Sequence, residues 1–469
     1  MAFPTMGAPG SGLDSGDTAW MLASAALVLL MTPGLAFFYG GMVRAKNVLN
    51  MIMMSVVSMG VVTVLWCLYG FSMSFGNDVW GTKNGGLLGD PGQYFGLKGL
   101  ISGNGVAASG STPATDIPLI GTIPALVFVA FQLMFAIITV ALVSGAVADR
   151  MKFSAWVVFT ALWSTIVYFP VAHWVFAASG VTGDKGGWLI NNVKAIDFAG
   201  GTAVHINAGV AGLVLALFLG KRKGWPKTPF RPHNVPFVML GAGLLWFGWY
   251  GFNAGSAGSA NGAAASTFLT TTVATAAAML AWLLVERIRD GHPTTLGAAS
   301  GIVAGLVAIT PSCSSVNVLG ALAIGAIAGA LCALAVGLKF KLGFDDSLDV
   351  VGVHLVGGVI GTLLVGFFAT KQAPAGVAGL FEGGGWDQLW RQAVGAGSVL
   401  LYSGVATAII ALVLKYTIGL RIDAEGEAKG ADESQHAETA YDFVALGGSG
   451  SLISGHGAAP IGAAPGKEV

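Results

Sequence analysis

The sequence predicts an all-α polytopic membrane protein: eleven transmembrane helices, with spans 1–5 and 6–10 forming an inverted repeat around a central pore. Three observations lead there. The 469 residues are 54% apolar and only 10% charged, whereas charged residues make up roughly a quarter of an average soluble domain. The apolar residues gather into eleven runs near the length of about 20 residues that crosses a hydrocarbon core. Finally, 71 glycines suit a bundle in which small residues let helices approach closely, with no hydrophobic effect pulling them together. The net charge is zero, which leaves no electrostatic footprint for nucleic acid, and none is expected as a partner.

The first run, 19–41, follows Asp14 and Asp17, and no Lys or Arg precedes Arg44. It lacks the positive leader of a cleaved signal peptide and is read as a retained span with residues 1–18 outside. Further runs lie near 48–75, 120–148, 153–176, 200–220, 235–257, 263–286, 296–311, 317–338, 350–370 and 395–418. The eighth is short and Gly-rich. Pro33 and Pro170 fall within spans, where neighbouring helices can satisfy the freed backbone groups. Seventeen of the 23 Lys and Arg residues fall on one set of loops, among them Arg44, Arg150 and the segment KRKGWPKTPFRPHN at 221–234, and on the C-terminal segment. The positive-inside rule puts that face in the cytoplasm. The N-terminus and the polar loop 76–119 are then outside, and the C-terminus inside. The organisation expected is an extracellular segment 1–18, a transport domain 19–418 and a cytoplasmic tail 419–469, disordered after about 444, where charged residues give way to Gly, Ala and Ser. Cys67, Cys313 and Cys332 form no CxxC pair and read as small packing residues.

Two segments carry the chemistry. DFAGGTAVHINAG at 197–209 and DSLDVVGVHLVGGVIG at 346–361 each lead from acids and glycines to one histidine in an apolar run. Asp197 precedes His205 by eight residues and Asp346 precedes His354 by eight, with Asp349 nearer. Ionisable residues inside membrane spans are costly and mark pathways or relays. Paired occurrences in matching contexts point to a shared site between repeats. Burial disfavours the charged imidazole, and two neutral imidazoles can share one proton, one donating and one accepting. Asp197 and Asp349 each read as a helix N-cap and also as an anion that sets the local field.

A second constellation lies toward the outer end. Phe252 and Ser256 in GWYGFNAGSAGSAN, and Phe131 and Phe135 in FQLMFAIIT, are each one helical turn apart. Aromatic faces attract a cation by about 0.5–2 kcal/mol, and a serine oxygen can accept a hydrogen bond from it. An aromatic cage cannot offset the tens of kcal/mol, on idealised estimates, needed to bury a bare ion. A cation that sheds its proton avoids that cost. Ammonium becomes ammonia, crosses a dry passage past the histidines, and is reprotonated.

These segments, with FFYGGMVRAKNVLN at 37–50, FQLMFAIITVALVSGAVADRMKFS at 131–154, RPHN at 231–234, GFNAGSAGSAN at 251–261 and DVVGVHLVGG at 349–358, resemble the ammonium transporter family, Amt/Mep/Rh, and more closely its bacterial Amt branch. The resemblance runs from about residue 17 to 443. It implies eleven helices around a pore in each subunit of a homotrimer in the cell membrane. It implies substrate recruitment by Phe135 and Ser256 with a tryptophan, Phe131 at the rim, and a gate of Phe135 and Phe252. It further implies a twin-His pore of His205 and His354, and Asp197 as a structural acid. Ammonium, or its analogue methylammonium, is the implied substrate, the lipid bilayer the setting, and a PII-type signal protein an implied partner at the cytoplasmic face, where the tail looks like the family's. No cofactor and no enzymatic activity are implied. The chain departs from the pattern at AHWVFAASG, 172–180, where Phe176 stands at the usual tryptophan position and Trp174 two residues earlier. Either ring can complete the cage, and Phe176 is the expected one.

Two other readings remain: a redox protein with His205 and His354 as axial haem ligands, and an ammonium sensor that transports little. No HExxH or GxSxG motif suggests a hydrolase.

Overall fold

A computed structural model describes residues 12–81, 85–101 and 117–441. The tail expected to be disordered, most of the N-terminal segment and part of loop 76–119 lie outside the described residues. All eleven apolar runs are helical: α1 Ser15–Met42, α2 Ala45–Phe75, α3 Ala125–Val147, α4 Phe153–Phe176, α5 Gly201–Leu219, α6 Val235–Ala254, α7 Gly262–Asp290, α8 Thr295–Ile309, α9 Val318–Leu342, α10 Val351–Phe368 and α11 Asp387–Thr417. Ten of them are long and apolar enough to cross a membrane, and α8 is shorter. At about 1.5 Å per residue, its 15 residues fall short of a hydrocarbon core of about 30 Å. The fold is thus a mostly helical, polytopic membrane architecture.

Two boundaries differ from the hydropathy reading for local reasons. Residues 120–124 are not helical, because Leu119–Ile120 (β1) and Ile123–Pro124 (β2) form a two-stranded antiparallel turn that leads into α3. The last helix begins at Asp387 rather than near 395. Its first turns bury Gln388 and Gln392, and the Gln392 amide donates to the carbonyls of Ile196 and Thr362 while its oxygen accepts from the Ile196 amide. Paired in this way, a polar side chain can be buried without penalty.

Glycine decides where helices touch. On α9, a Cβ at Gly325 would lie 2.1 Å from the Ala274 carbonyl, and one at Gly329 would lie 2.2 Å from that of Ala278, both on α7. On α6, a Cβ at Gly241 would lie 2.4 Å from the Phe38 amide of α1. These backbones meet directly, which is the packing expected of helices without a hydrophobic drive between them.

The end of the molecule that carries most of the Lys and Arg (the basic end) is locked by buried ion pairs. Arg222 pairs with Asp345 at 2.8 Å and with Asp149 at 3.3 Å, and Arg44 reaches Asp149 at 3.4 Å. Arg150 is also buried and donates to Ser347 Oγ and the Asp345 carbonyl. Some cations that read from sequence as topology signals are therefore internal struts. The tail folds against this end as α12 Ala424–Lys429 and α13 Ala431–His436. The Asn50 amide donates to Asp432 Oδ1 at 2.8 Å, Ala431 N donates to Asn47 Oδ1 at 2.7 Å, and Arg421 pairs with Glu427 at 2.6 Å.

Candidate functional site

The site is built where α5 and α10 begin. Asp197 folds its carboxylate over the start of α5 and accepts from the amides of Gly200, Gly201, Thr202 and Ala203, and from the Thr202 hydroxyl. This satisfies helix-start donors that would otherwise be orphaned. Gly200 holds φ +121°, a conformation in which side chains are strained, and so lets the chain turn into the helix. The opening residues Gly201–Ile206 form a π turn, with the His205 amide bonded five residues back to the Gly200 carbonyl at 3.0 Å.

α10 repeats the arrangement. Here Asp346 accepts from the Val350 and Val351 amides at 3.1 and 2.7 Å, and Val351–Leu355 form a π turn that carries His354. Asp346 thus takes the capping position that the sequence reading gave to Asp349. Asp349 has φ +63° and pairs instead with Lys339 at 2.6 Å. Burial pushes the Asp346 carboxyl up to about 6, against the pull of the Lys339 ammonium. π turns insert a residue into the helical ladder and recur at functional positions. Phe252 also lies on one, Tyr250–Ala254 at the end of α6.

The two histidines meet at the crossing of these helices. Their Nδ1 atoms are 3.3 Å apart, and the rings lie 5.4 Å between centroids at 21°. Both are buried, at 1% and 3% exposure. An Nδ1–Nδ1 hydrogen bond requires one ring to donate and the other to accept. His205 also stacks on Trp249 at 5.5 Å and 15°, and among the described residues its Nε2 has no hydrogen-bond partner.

Beside the pair stands a wall of phenylalanines. Phe135 and Phe252 stack at 4.2 Å and 28°, and Phe131 meets Phe135 edge-on at 4.9 Å. This stack separates two spaces. On the side of Phe135, a recess of about 40 Å³ is lined by Phe131, Phe135, Phe176 and Ser256, with Gln132 and Phe198. On the side of Phe252, a narrow cavity of about 10 Å³ holds both histidines and Trp249. That is about the space one water-sized molecule requires. The Ser256 hydroxyl donates to the Phe252 carbonyl at 2.8 Å, which leaves its oxygen as an acceptor toward the recess.

Seven of the eight candidate residues therefore line these two adjoining spaces. Asp197 does not line the recess, but its neighbour Phe198 does. The structure also separates Phe176 from Trp174. Phe176 faces the recess, whereas the Trp174 indole donates to the Leu87 carbonyl at 2.7 Å and its ring packs on Tyr402 and Trp188. Sequence reasoning missed three residues. Trp249, one turn before Phe252, carried a periodicity signal. Gln132 is the one polar side chain in VFVAFQLMF. Phe198 carried no signal beyond its position after Asp197.

The sequence model of the Ammonium Transporter Family matches residues 19–441. An ammonium transporter of Mycobacterium tuberculosis is 72% identical over 455 residues, covering 95% of this chain and 94% of that one. An ammonium transporter of Aquifex aeolicus is 48% identical over 433 residues, covering 92% and 94%. Among solved structures, Mep2 of Saccharomyces cerevisiae aligns with a TM-score of 0.76 at 32% identity, covering 91% of this chain and 93% of that one. A sensor Amt protein aligns with a TM-score of 0.78 at 30% identity, covering 90% and 98%. On its sequence, across nearly its whole length, this chain belongs to the ammonium transporter family.

Proposed function

We propose that the protein is an ammonium transporter of the cell membrane. It recruits NH4⁺ in the outer recess, where the ion gives up its proton to a relay through the His205–His354 imidazoles, and passes NH3 through the pore between them into the cytoplasm, where it is reprotonated. The observation that carries this reading is the buried Nδ1–Nδ1 contact directly behind the stacked phenylalanines. The recess offers the faces of Phe131, Phe135 and Phe176 and the Ser256 oxygen to a small cation. The cavity behind offers only apolar walls and two imidazoles, so a charge is disfavoured there while a neutral molecule of ammonia's size can be hydrogen-bonded. Phe135 and Phe252 act as the gate between the two, and Asp197 acts as the acid that fixes the start of α5 and adds a negative field behind Phe198.

On this reading α8 completes eleven spans, and the matched Asp–x7–His starts of α5 and α10 reflect an inverted repeat of spans 1–5 and 6–10. The basic end faces the cytoplasm under the positive-inside rule, residues 1–18 lie outside, and residues 419–469 form the cytoplasmic tail. The working unit is a homotrimer, and a PII-type signal protein docks at the basic end. The direct contact between the imidazoles leaves no gap for a porphyrin, which speaks against axial haem ligation. The similarity to a sensor Amt protein favours one alternative, a sensor that transports little.

Uptake of labelled methylammonium into proteoliposomes tests the proposal. The parent should take up label with saturation, compete with ammonium, and lose uptake in Phe131→Ala/Phe135→Ala. A folded parent that takes up no label and generates no ammonia flux would favour the sensor.

A further inference from the structure

The outer recess holds more hydrogen-bonding capacity than the proposed cage uses. Among its lining residues only Gln132 and Ser256 have polar side chains, and none has a charged one. Ser256 commits its proton to the Phe252 carbonyl. Gln132 lies on α3 between Phe131 and Phe135, half-buried, and its amide makes no hydrogen bond to any described residue. A primary amide carries one strong acceptor oxygen and two N–H donors. Half-buried and without a partner among the described residues, the amide can be paired by water, which a bound cation can displace.

We infer that Gln132 is a specificity-determining residue of this recess: its Oε1 is the second hydrogen-bond acceptor for the bound cation and sets the preference for ammonium over its methylated analogues. The inference rests on the recruitment reading given above. Ammonium offers four N–H bonds in a tetrahedron. One can point at Ser256 Oγ and one at Gln132 Oε1, while the others face the rings of Phe131, Phe135 and Phe176. Each methyl group removes one N–H, so methylammonium can still satisfy both acceptors, dimethylammonium only in one orientation, and trimethylammonium never. A cage without Gln132 gives each of these one hydrogen bond, to Ser256, besides the attraction of its charge, and gains apolar contact with each added methyl. The amide therefore turns a general cation cage into a site that counts N–H bonds, and it does so without a carboxylate, which would hold the cation too firmly for release.

The test measures half-saturation in proteoliposomes for ammonium and methylammonium, and the inhibition constant of trimethylammonium against methylammonium uptake, in the parent, Gln132→Leu, Gln132→Met and Ser256→Ala. A hydrogen bond to a charged group corresponds to roughly a tenfold or greater change in affinity. Gln132→Leu and Gln132→Met should raise the half-saturation concentration for ammonium by about that factor. Trimethylammonium, whose single N–H Ser256 can take, should change little, so the ratio between the two falls toward one, and the effect should fall on half-saturation rather than on maximal flux. A merely structural role would lower maximal flux and melting temperature without changing the ratio. If Ser256→Ala weakens ammonium binding but both Gln132 variants keep the parent ratio, this inference is overturned and the recruitment site stands. If neither Ser256→Ala nor the Gln132 variants alter any half-saturation value, the recruitment site itself is misplaced.

Discussion

Gly209 backs directly onto Leu355. A Cβ built on Gly209 would lie 2.4 Å from the Leu355 amide nitrogen, and Leu355 is the residue after His354. The distance between the two histidines is therefore set by a backbone-to-backbone contact one turn away. Gly358 adds a second such contact, since a Cβ there would approach His205 Cβ at 3.1 Å.

Gly209→Val should force α5 and α10 apart and lengthen the His205–His354 contact. Overpacking of this kind costs about 1–3 kcal/mol, so the protein should still fold with a lowered melting temperature while ammonia flux is largely lost. Gly404→Ala, where the added Cβ meets ordinary contact at 3.5 Å from Val210, should melt and conduct like the parent. Thermal unfolding and flux measured side by side check both variants, and undiminished flux in Gly209→Val would break the link between this packing and the pore.

Phe176 and Trp174 should respond differently to exchange. Tryptophan binds cations better than phenylalanine does, so Phe176→Trp should lower the half-saturation concentration for ammonium several-fold. Trp174→Phe removes the N–H that donates to Leu87. It should lower the melting temperature while leaving half-saturation unchanged. The opposite pattern would move the cage to Trp174.

Much of this arrangement was legible in the sequence, because apolar run length and histidine context are one-dimensional signals. The bounds of α4, 153–176, followed from hydropathy alone, and the pairing of His205 with His354 followed from two matching segments. What escaped depends on three-dimensional pairing. Gln388 and Gln392 fall before the apolar run 395–418, and only the pairing of Gln392 with Ile196 and Thr362 explains why the helix begins ahead of them. The π turns under His205, Phe252 and His354 use residues indistinguishable from ordinary helix formers. Asp349 read as the cap of α10, but its positive φ and its pairing with Lys339 leave that position to Asp346. Gln132 looked like an interruption in an apolar run because its role lies in the space it faces.

Acid should loosen the basic end first. Burial pushes the Asp345 carboxyl up, but the hydrogen bonds and charge of Arg222 outweigh this and hold it below the usual carboxylate range. A depressed carboxyl contributes stability that is present above the unfolded value of about 3.9 and is lost as pH falls through the folded value. This contribution should therefore hold between about pH 7 and 5 and be lost below about pH 4, whereas the raised Asp346 carboxyl works the other way and adds stability as pH falls through about 6. Asp345→Asn leaves the buried Arg222 with Asp149 as its remaining carboxylate and should cost less than the roughly 3–5 kcal/mol of a fully uncompensated buried charge, with a flatter acid limb. An acid limb identical to the parent's would assign the transition to other groups.

Asp197→Ala should lower stability by about 0.5–2 kcal/mol or somewhat more, since several amides lose one cap. Asp197→Asn keeps an acceptor oxygen but removes the charge. If the carboxylate supplies a field as well as a cap, Asp197→Asn should melt near the parent temperature yet raise half-saturation for ammonium. A variant with parent-like half-saturation would leave Asp197 a purely structural acid.

The most direct test of the pore is the current evoked by an ammonium pulse on proteoliposomes, recorded with ammonia flux, for the parent, His205→Ala and His354→Ala. If the imidazole pair holds ammonia and relays the proton released in the recess, the parent should give a transient current and both variants should lose it while remaining folded. Parent-sized current and flux in both variants would contradict the account.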